Sequence, residues 1–139
     1  MNFWDSSAIT PLLVIEPESE RRRGDLERSG HIFVWYGTLA EIESALCRRV
    51  REGLIAPADD QIARSRLGLL ADSWVEIEPT TKVRSRAIRL LRTHSLRAGD
   101  AFQLAAALAA TNEQPDGSTF LTGDVRLAHA AKNEGFLVR

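Results

Sequence analysis

Only one cysteine, Cys47, occurs in the 139 residues. An internal disulfide and a cysteine-based zinc site are thereby excluded, and the chain suits a reducing, cytoplasmic setting. No apolar run approaches the roughly 20 residues needed to cross a bilayer, so no membrane span is expected. The opening MNFWDSS has no basic segment and meets an acid at position 5, so it does not read as a signal peptide. Lysine is scarce as well: 16 of the 18 basic residues are arginine. Arginine grips phosphate bidentately. A formal net charge of −1 nevertheless argues against indiscriminate nucleic-acid binding. Any polyanion would have to meet a local patch. Repeats, low-complexity tracts and interdomain linkers are also missing, so residues 1–139 read as a single domain.

What is present is a 44% hydrophobic composition arranged as short apolar runs between longer segments of helical period. MNFWD, HIFVWYG, VEIEP, STFLT and the terminal FLVR read as strands. Between them, SSAITPLLV starts a helix whose Pro11 must lie near its beginning or kink it. PESERRRGDLERS reads as a charged, solvent-facing helix or helix pair. TLAEIESALCRRVREG has Leu39, Ile42, Leu46 and Val50 on one stripe and stops at Gly53. PADDQIARSRLGLLADSW carries Ala63, Leu67, Leu70 and Trp74 on another. TTKVRSRAIRLLRTHS should turn Val83, Ala87, Leu90 and Leu91 inward and Lys82, Arg86 and Arg89 outward. LRAGDAFQLAAALAA and DVRLAHAAKNEG complete the helices. Strands separated by helices imply an α/β protein, an open parallel sheet with helices on both faces.

Four acids then fall at equivalent places. Asp5 ends the first strand, Asp124 follows the fourth, Glu41 lies in the first turn after the second, and Asp100 opens the alanine-rich helix. In an open parallel sheet those points face the crevice where ligands bind. Singly, each has a bland reading. Asp5, Asp100 and Asp124 could be helix N-caps, and Thr38-x-x-Glu41 fits a capping box. Jointly, the bland reading weakens. At about 4 Å and an effective dielectric near 20, one pair of carboxylates costs about 4 kcal/mol. A helix dipole returns only about 0.3–1 kcal/mol. Protons or a hard divalent cation must offset the rest, and an all-oxygen donor set selects Mg²⁺ or Mn²⁺.

FWDSSAI, TLAEIESAL, AGDAFQLAAAL and FLTGDVRLAHAAKNEGF resemble, in order and spacing, the successive motifs of the PIN domain, and more narrowly those of VapC-type toxins of bacterial toxin–antitoxin pairs. The likeness spans nearly the whole chain. It implies a sheet of order 3-2-1-4-5 and a Mg²⁺- or Mn²⁺-dependent endoribonuclease. Carried over by position, Asp5, Glu41, Asp100 and Asp124 match the acidic quartet, and Ser6 or Ser7 and Thr122 match the accompanying hydroxyls. Asp5 and Asp100, helped by Asp124, would hold a first metal. Glu41 would bind a second metal or orient water for in-line attack on phosphorus. Glu43 is a second candidate, but two residues on it points about 200° away from Glu41.

The resemblance also implies a homodimer and a cognate antitoxin whose C-terminal segment blocks the site. The hydrophobic hairpin from Thr38 to Trp74 offers apolar surface for a groove, although core packing explains such stripes equally. For guiding RNA, the candidates are the Lys82, Arg86 and Arg89 row, or Arg48 and Arg49. The latter pair also complements a helix C-terminus. Trp4 and Trp35 read as core, and His31, His94 and His129 as bystanders. A phosphoacceptor module would want an aspartate on the third strand, where VEIEP has glutamates. A PIN-like module that binds RNA or protein without cutting, or a DNA-directed nuclease of the same fold, are the remaining alternatives.

Overall fold

A computed structural model describes residues 1–139. The chain runs β1 (Asn2–Trp4), α1 (Ser6–Leu13), α2 (Ser19–Arg28), β2 (Ile32–Trp35), α3 (Thr38–Arg51), α4 (Pro57–Ala71), β3 (Val75–Ile77), α5 (Thr81–Thr93), α6 (Ala98–Ala110), β4 (Thr119–Leu121), α7 (Val125–Asn133) and β5 (Leu137–Val138). All pairings are parallel, in the order β3-β2-β1-β4-β5. The expected architecture and strand order are therefore observed. The strands are shorter than the apolar runs that announce them. Phe136, expected in the last strand, lies just before it, buried against Phe120 at a ring-centroid distance of 5.7 Å.

The two-residue period of a strand sends neighbouring side chains to opposite faces. Phe3, Trp35 and Phe120 join Val83, Ala87, Leu90, Leu104 and Leu127 in one core, under α5, α6 and α7. Trp4, Val34 and Leu121 join Ile9, Ile42, Leu46, Ala63 and Leu67 in the other, under α1, α3 and α4. Both tryptophans are thus core residues, as expected. Each large side chain buried this way contributes roughly 1.5–3 kcal/mol. Gly37 lets α3 begin hard against β2, since a Cβ there would stand 2.7 Å from Trp35 Nε1.

Three apolar stripes are narrower than their sequences suggest. Leu39 and Val50 flank the buried Ile42 and Leu46 but stay exposed, and Leu91 is exposed beside the buried Leu90. Leu70 and Trp74 are only half-buried beside Ala63 and Leu67. A straight helix has 3.6 residues per turn, so a stripe drifts off the contact line within two or three turns. Helix α2 departs from expectation in the opposite sense. It is one helix, and its Ser19, Arg22 and Asp25 are buried. Pro11 sits inside α1 rather than at its start, and the chain leaves the helix soon after, at Val14.

The chain leaves β1 toward β2 and returns from β3 to β4 on the other side of β1. The β1/β4 boundary is therefore the point where the winding reverses, and a crevice opens there beyond the strand carboxyl ends. The Asp5 N–H donates to the Leu121 carbonyl at 2.9 Å, which fixes the two strand exits side by side.

Candidate active site

Asp5 lies buried at the exit of β1. It caps α1, accepting from the Ser7 N–H at 3.3 Å, so the bland reading of this residue is correct as far as it goes. A cap alone does not explain why Asp5 is 4% exposed and ringed by hydroxyls. The Ser7 hydroxyl donates a short hydrogen bond to Asp5 Oδ2, and the Thr122 hydroxyl donates to the same oxygen at 2.9 Å. Each hydroxyl in turn accepts a backbone N–H from the β4–α7 connection: Gly123 to Ser7 Oγ at 2.8 Å, Asp124 to Thr122 Oγ1 at 3.0 Å. Two relays therefore carry backbone polarity from the β4 exit onto one carboxylate oxygen. Asp5 Oδ1 meets only the Ser6 hydroxyl, at 3.4 Å. Burial pushes the Asp5 carboxyl above the usual aspartate range, against the pull of Ser7 and Thr122.

Glu41 approaches from the first turn of α3. Its capping-box role is not what the structure shows. Thr38 is buried and exchanges hydrogen bonds with Gln103, and Gly37 holds the cap position. Glu41 Oε2 instead accepts from Ser6 Oγ at 2.7 Å and from Gln103 Nε2 at 2.9 Å, while Oε1 has no donor. Burial raises the Glu41 carboxyl above its ordinary value. Ser6 and Gln103 oppose that shift, and the charges of Asp5 and Asp100 add to it.

Asp100 is not the cap of α6 either. Arg97 occupies the cap, and Asp100 lies in the first turn, half-buried. Its carboxyl is also raised, by burial first and then by Asp124 and Asp5, with the Arg97 backbone and guanidinium working against the shift. Asp124 does cap α7, its Oδ1 accepting from the Leu127 N–H at 2.8 Å, which leaves Oδ2 free. The four acids therefore arrive from four elements and act on one another electrostatically.

None of the four acids forms an ion pair. No three His, Cys, Asp or Glu side chains form a ready metal-holding group. Mutual repulsion is a sufficient reason for like charges to stand apart with no counter-charge among them. The residue types still suit a hard cation: every candidate donor is a carboxylate oxygen, each acid keeps an oxygen with little or no protein engagement, and Asp5 is buried.

Gln103 escaped the sequence reading. The signal was present, since it is the one polar residue of α6 beyond Asp100 and stands three positions from it, on the same face. It is wholly buried and ties Thr38 to Glu41. Glu43, by contrast, is set aside. It pairs with Arg64 of α4, away from the other acids.

The basic candidates separate into two places. Arg48 and Arg49 line a polar cleft of about 420 Å³ that also reaches Ser6, Ser7 and Glu41. Lys82, Arg86 and Arg89 line a different one with Glu113, which shares no residue with the first. Arg86 is not the outward-facing cation expected of it: only 15% of its side chain is exposed, and it pairs with Glu113 at 2.6 Å and Glu134 at 3.6 Å. Glu113 follows the C-terminus of α6, about 15 Å along that helix from Asp100. His94 pairs with Glu134 at 2.7 Å, away from the acids.

A family model described as PIN domain matches residues 3–133. The fold is similar to that of PAE2754 from Pyrobaculum aerophilum, with a TM-score of 0.71 at 19% identity, over 99% of this chain and 89% of that one. It is also similar to FitAcB from Neisseria gonorrhoeae, with a TM-score of 0.67 at 18% identity over 99% and 96%. VapBC2 from Rickettsia felis, solved bound to a DNA fragment from the promoter, gives a TM-score of 0.67 at 14% identity over 99% and 96%. At such identities the likeness is one of fold. No curated protein matches the chain.

Proposed function

Given that the chain belongs to the PIN domain family, over residues 3–133, we propose that it is a Mg²⁺- or Mn²⁺-dependent endoribonuclease and the toxin of a toxin–antitoxin pair. The observation that carries this reading is that Asp5, Glu41, Asp100 and Asp124 come within electrostatic reach of one another and that none is paired with a cation. Asp5, Asp100 and Asp124 would hold the cation, with Glu41 at its edge. Bound there, a divalent ion supplies an acidified water and offsets charge on the phosphoryl group.

The chain's own residues do the positioning. Ser7 and Thr122 fix Asp5 Oδ2 and leave Oδ1 with the Ser6 hydroxyl alone. Ser6 and Gln103 fix Glu41 Oε2 and leave Oε1 open to orient water. Such locked rotamers keep donor atoms where the reaction needs them.

An antitoxin partner is supported by an apolar groove at the α1 exit and the α3–α4 hairpin, where Ile15, Leu54 and Ile62 are 89%, 67% and 49% exposed. The motif resemblance to VapC-type toxins, together with the shared fold of VapBC2 and FitAcB, supports the same reading. A homodimer and a cytoplasmic location belong to this proposal. No helix is long and apolar enough to cross a membrane.

Cleavage of single-stranded RNA by the purified chain tests it, with Mg²⁺, Mn²⁺ and EDTA compared and Asp100→Asn beside the parent. Metal-dependent cutting that falls at least about 10²-fold in the variant is expected. Cutting that persists in EDTA or in Asp100→Asn would exclude the mechanism.

A further inference from the structure

Arg22 is the largest charged side chain buried in this protein, at 1% exposure. A guanidinium out of water needs a counter-charge and partners for its five N–H groups. Arg22 donates to the Thr122 carbonyl at 2.6 Å and to Asp25 at 3.4 Å, and its Nε has no partner. Asp25 cannot neutralise it alone, because the same carboxylate also serves Arg28 at 3.0 Å and Arg139 at 3.3 Å. Three guanidinium groups thus share one acid. Burial, with Arg21 nearby, holds the Arg22 guanidinium below its ordinary pKa, which marks the same shortage.

Arg22 lines the 420 Å³ cleft that borders the acids, together with Arg48. Arg49, also there, is committed to Glu16. Arg48 is exposed and makes no side-chain hydrogen bond or ion pair. The rest of the lining carries four serine and threonine hydroxyls and three glutamates, and no aromatic ring is among it. Of the glutamates, Glu16 is held by Arg49, Glu18 by Arg21 and Glu41 by Ser6 and Gln103. A surface without aromatics offers no base-stacking platform, whereas hydroxyls and arginines suit a sugar–phosphate backbone.

Resting on the nuclease reading above, we infer that the α1–α2–α3 cleft binds one backbone phosphate of the RNA strand, adjacent to the phosphate that is cut, between Arg22 and Arg48. The cleft and the acid cluster share Ser6, Ser7 and Glu41, so a strand threaded past the acids passes directly into it. Arg22 has a second consequence here. By holding the Thr122 carbonyl it couples the phosphate site to the residue whose hydroxyl fixes Asp5.

The test uses the full chain carrying Asp100→Asn, in Mg²⁺, and a labelled single-stranded oligoribonucleotide. A neutral methylphosphonate replaces one phosphate at a time along the strand. Affinity is expected to drop about tenfold at a single position next to the scissile one. That drop should vanish when Arg48→Ala or Arg22→Lys is added, with a salt slope shallower by about 0.7 for the one lost contact. Arg48→Ala is the decisive variant, because nothing in the fold leans on that side chain. Equal loss at every phosphate, or a position-specific loss that both variants retain, overturns the subsite while leaving the nuclease reading intact. If the parent neither binds nor cuts RNA, both fall together.

Discussion

Two clusters of charged residues lie toward opposite ends of α6 and are treated in opposite ways. Around Arg86, two glutamates meet the guanidinium at 2.6 and 3.6 Å and His94 meets Glu134 at 2.7 Å, so each carboxylate has a partner. Around Asp5, four carboxylates gather without one ion pair, and three of them hold their protons more tightly than usual. The first arrangement fastens α5 and α7 together. The second makes the fold less stable than it could be. Proteins retain such unbalanced charge where chemistry needs it, since perturbed carboxyls cluster at functional sites. The contrast also weighs against the Lys82 row as a guide for RNA, because its central arginine is already held by Glu113 and Glu134.

The sharpest way to break the comparison is to neutralise the buried acid. Asp5→Asn should lower RNA cleavage by about 10²–10³-fold. The same substitution should leave the metal-free protein at pH 8 as stable as the parent or more so, because a desolvated charge is gone while an amide oxygen still accepts from Ser7 and Thr122. A marked loss of stability would show that the fold depends on the Asp5 charge itself, since asparagine caps a helix equally well.

A smaller and opposite effect is expected at the balanced cluster. Arg86→Ala leaves Glu113 and Glu134 facing each other, and should cost about 1–3 kcal/mol in denaturant unfolding, between the values for surface and buried pairs. RNA cleavage should not change. A loss of activity at preserved stability would return Arg86 to the RNA path.

The subtlest expectation concerns pH. Asp5, Glu41 and Asp100 have folded pKa values above their unfolded ones, so the folded state binds more protons over the intervening range. Their contribution favours the fold below about pH 4 and is lost as pH rises through the folded values. In EDTA the thermal midpoint should therefore decline toward alkaline pH more steeply than in Mg²⁺ or Mn²⁺, whose binding to the ionised cluster offsets the repulsion. Identical pH profiles with and without cation would count against metal binding at these acids.

Much of this was legible in the residues. The periods of 2 and 3.6 placed the strands and helices, and the resemblance to PIN-domain motifs supplied the strand order. Asp5 and Asp124 were readable both as caps and as crevice acids, and the structure shows the caps. Other local readings failed for a common reason. The capping box at Thr38–Glu41 is a sequence-local pattern, and it lost to Ser6 and Gln103, which come from 35 residues before Glu41 and 62 residues after it. Helix α2 looked solvent-facing because RRRGD is so polar, yet its Arg22 reaches a carbonyl 100 residues away. Arg86 looked free because its partners, Glu113 and Glu134, lie in other elements.

The sequence by itself determined which segments become strands and helices, because hydrophobic period and local backbone preference act over a few residues. With right-handed crossovers it also determined that the acids would fall at one end of the sheet. Only the tertiary structure decided how each acid is held, which arginines are already paired and which remain available. Those outcomes depend on desolvation and on the distance between charges from separate elements, and a one-dimensional pattern carries neither.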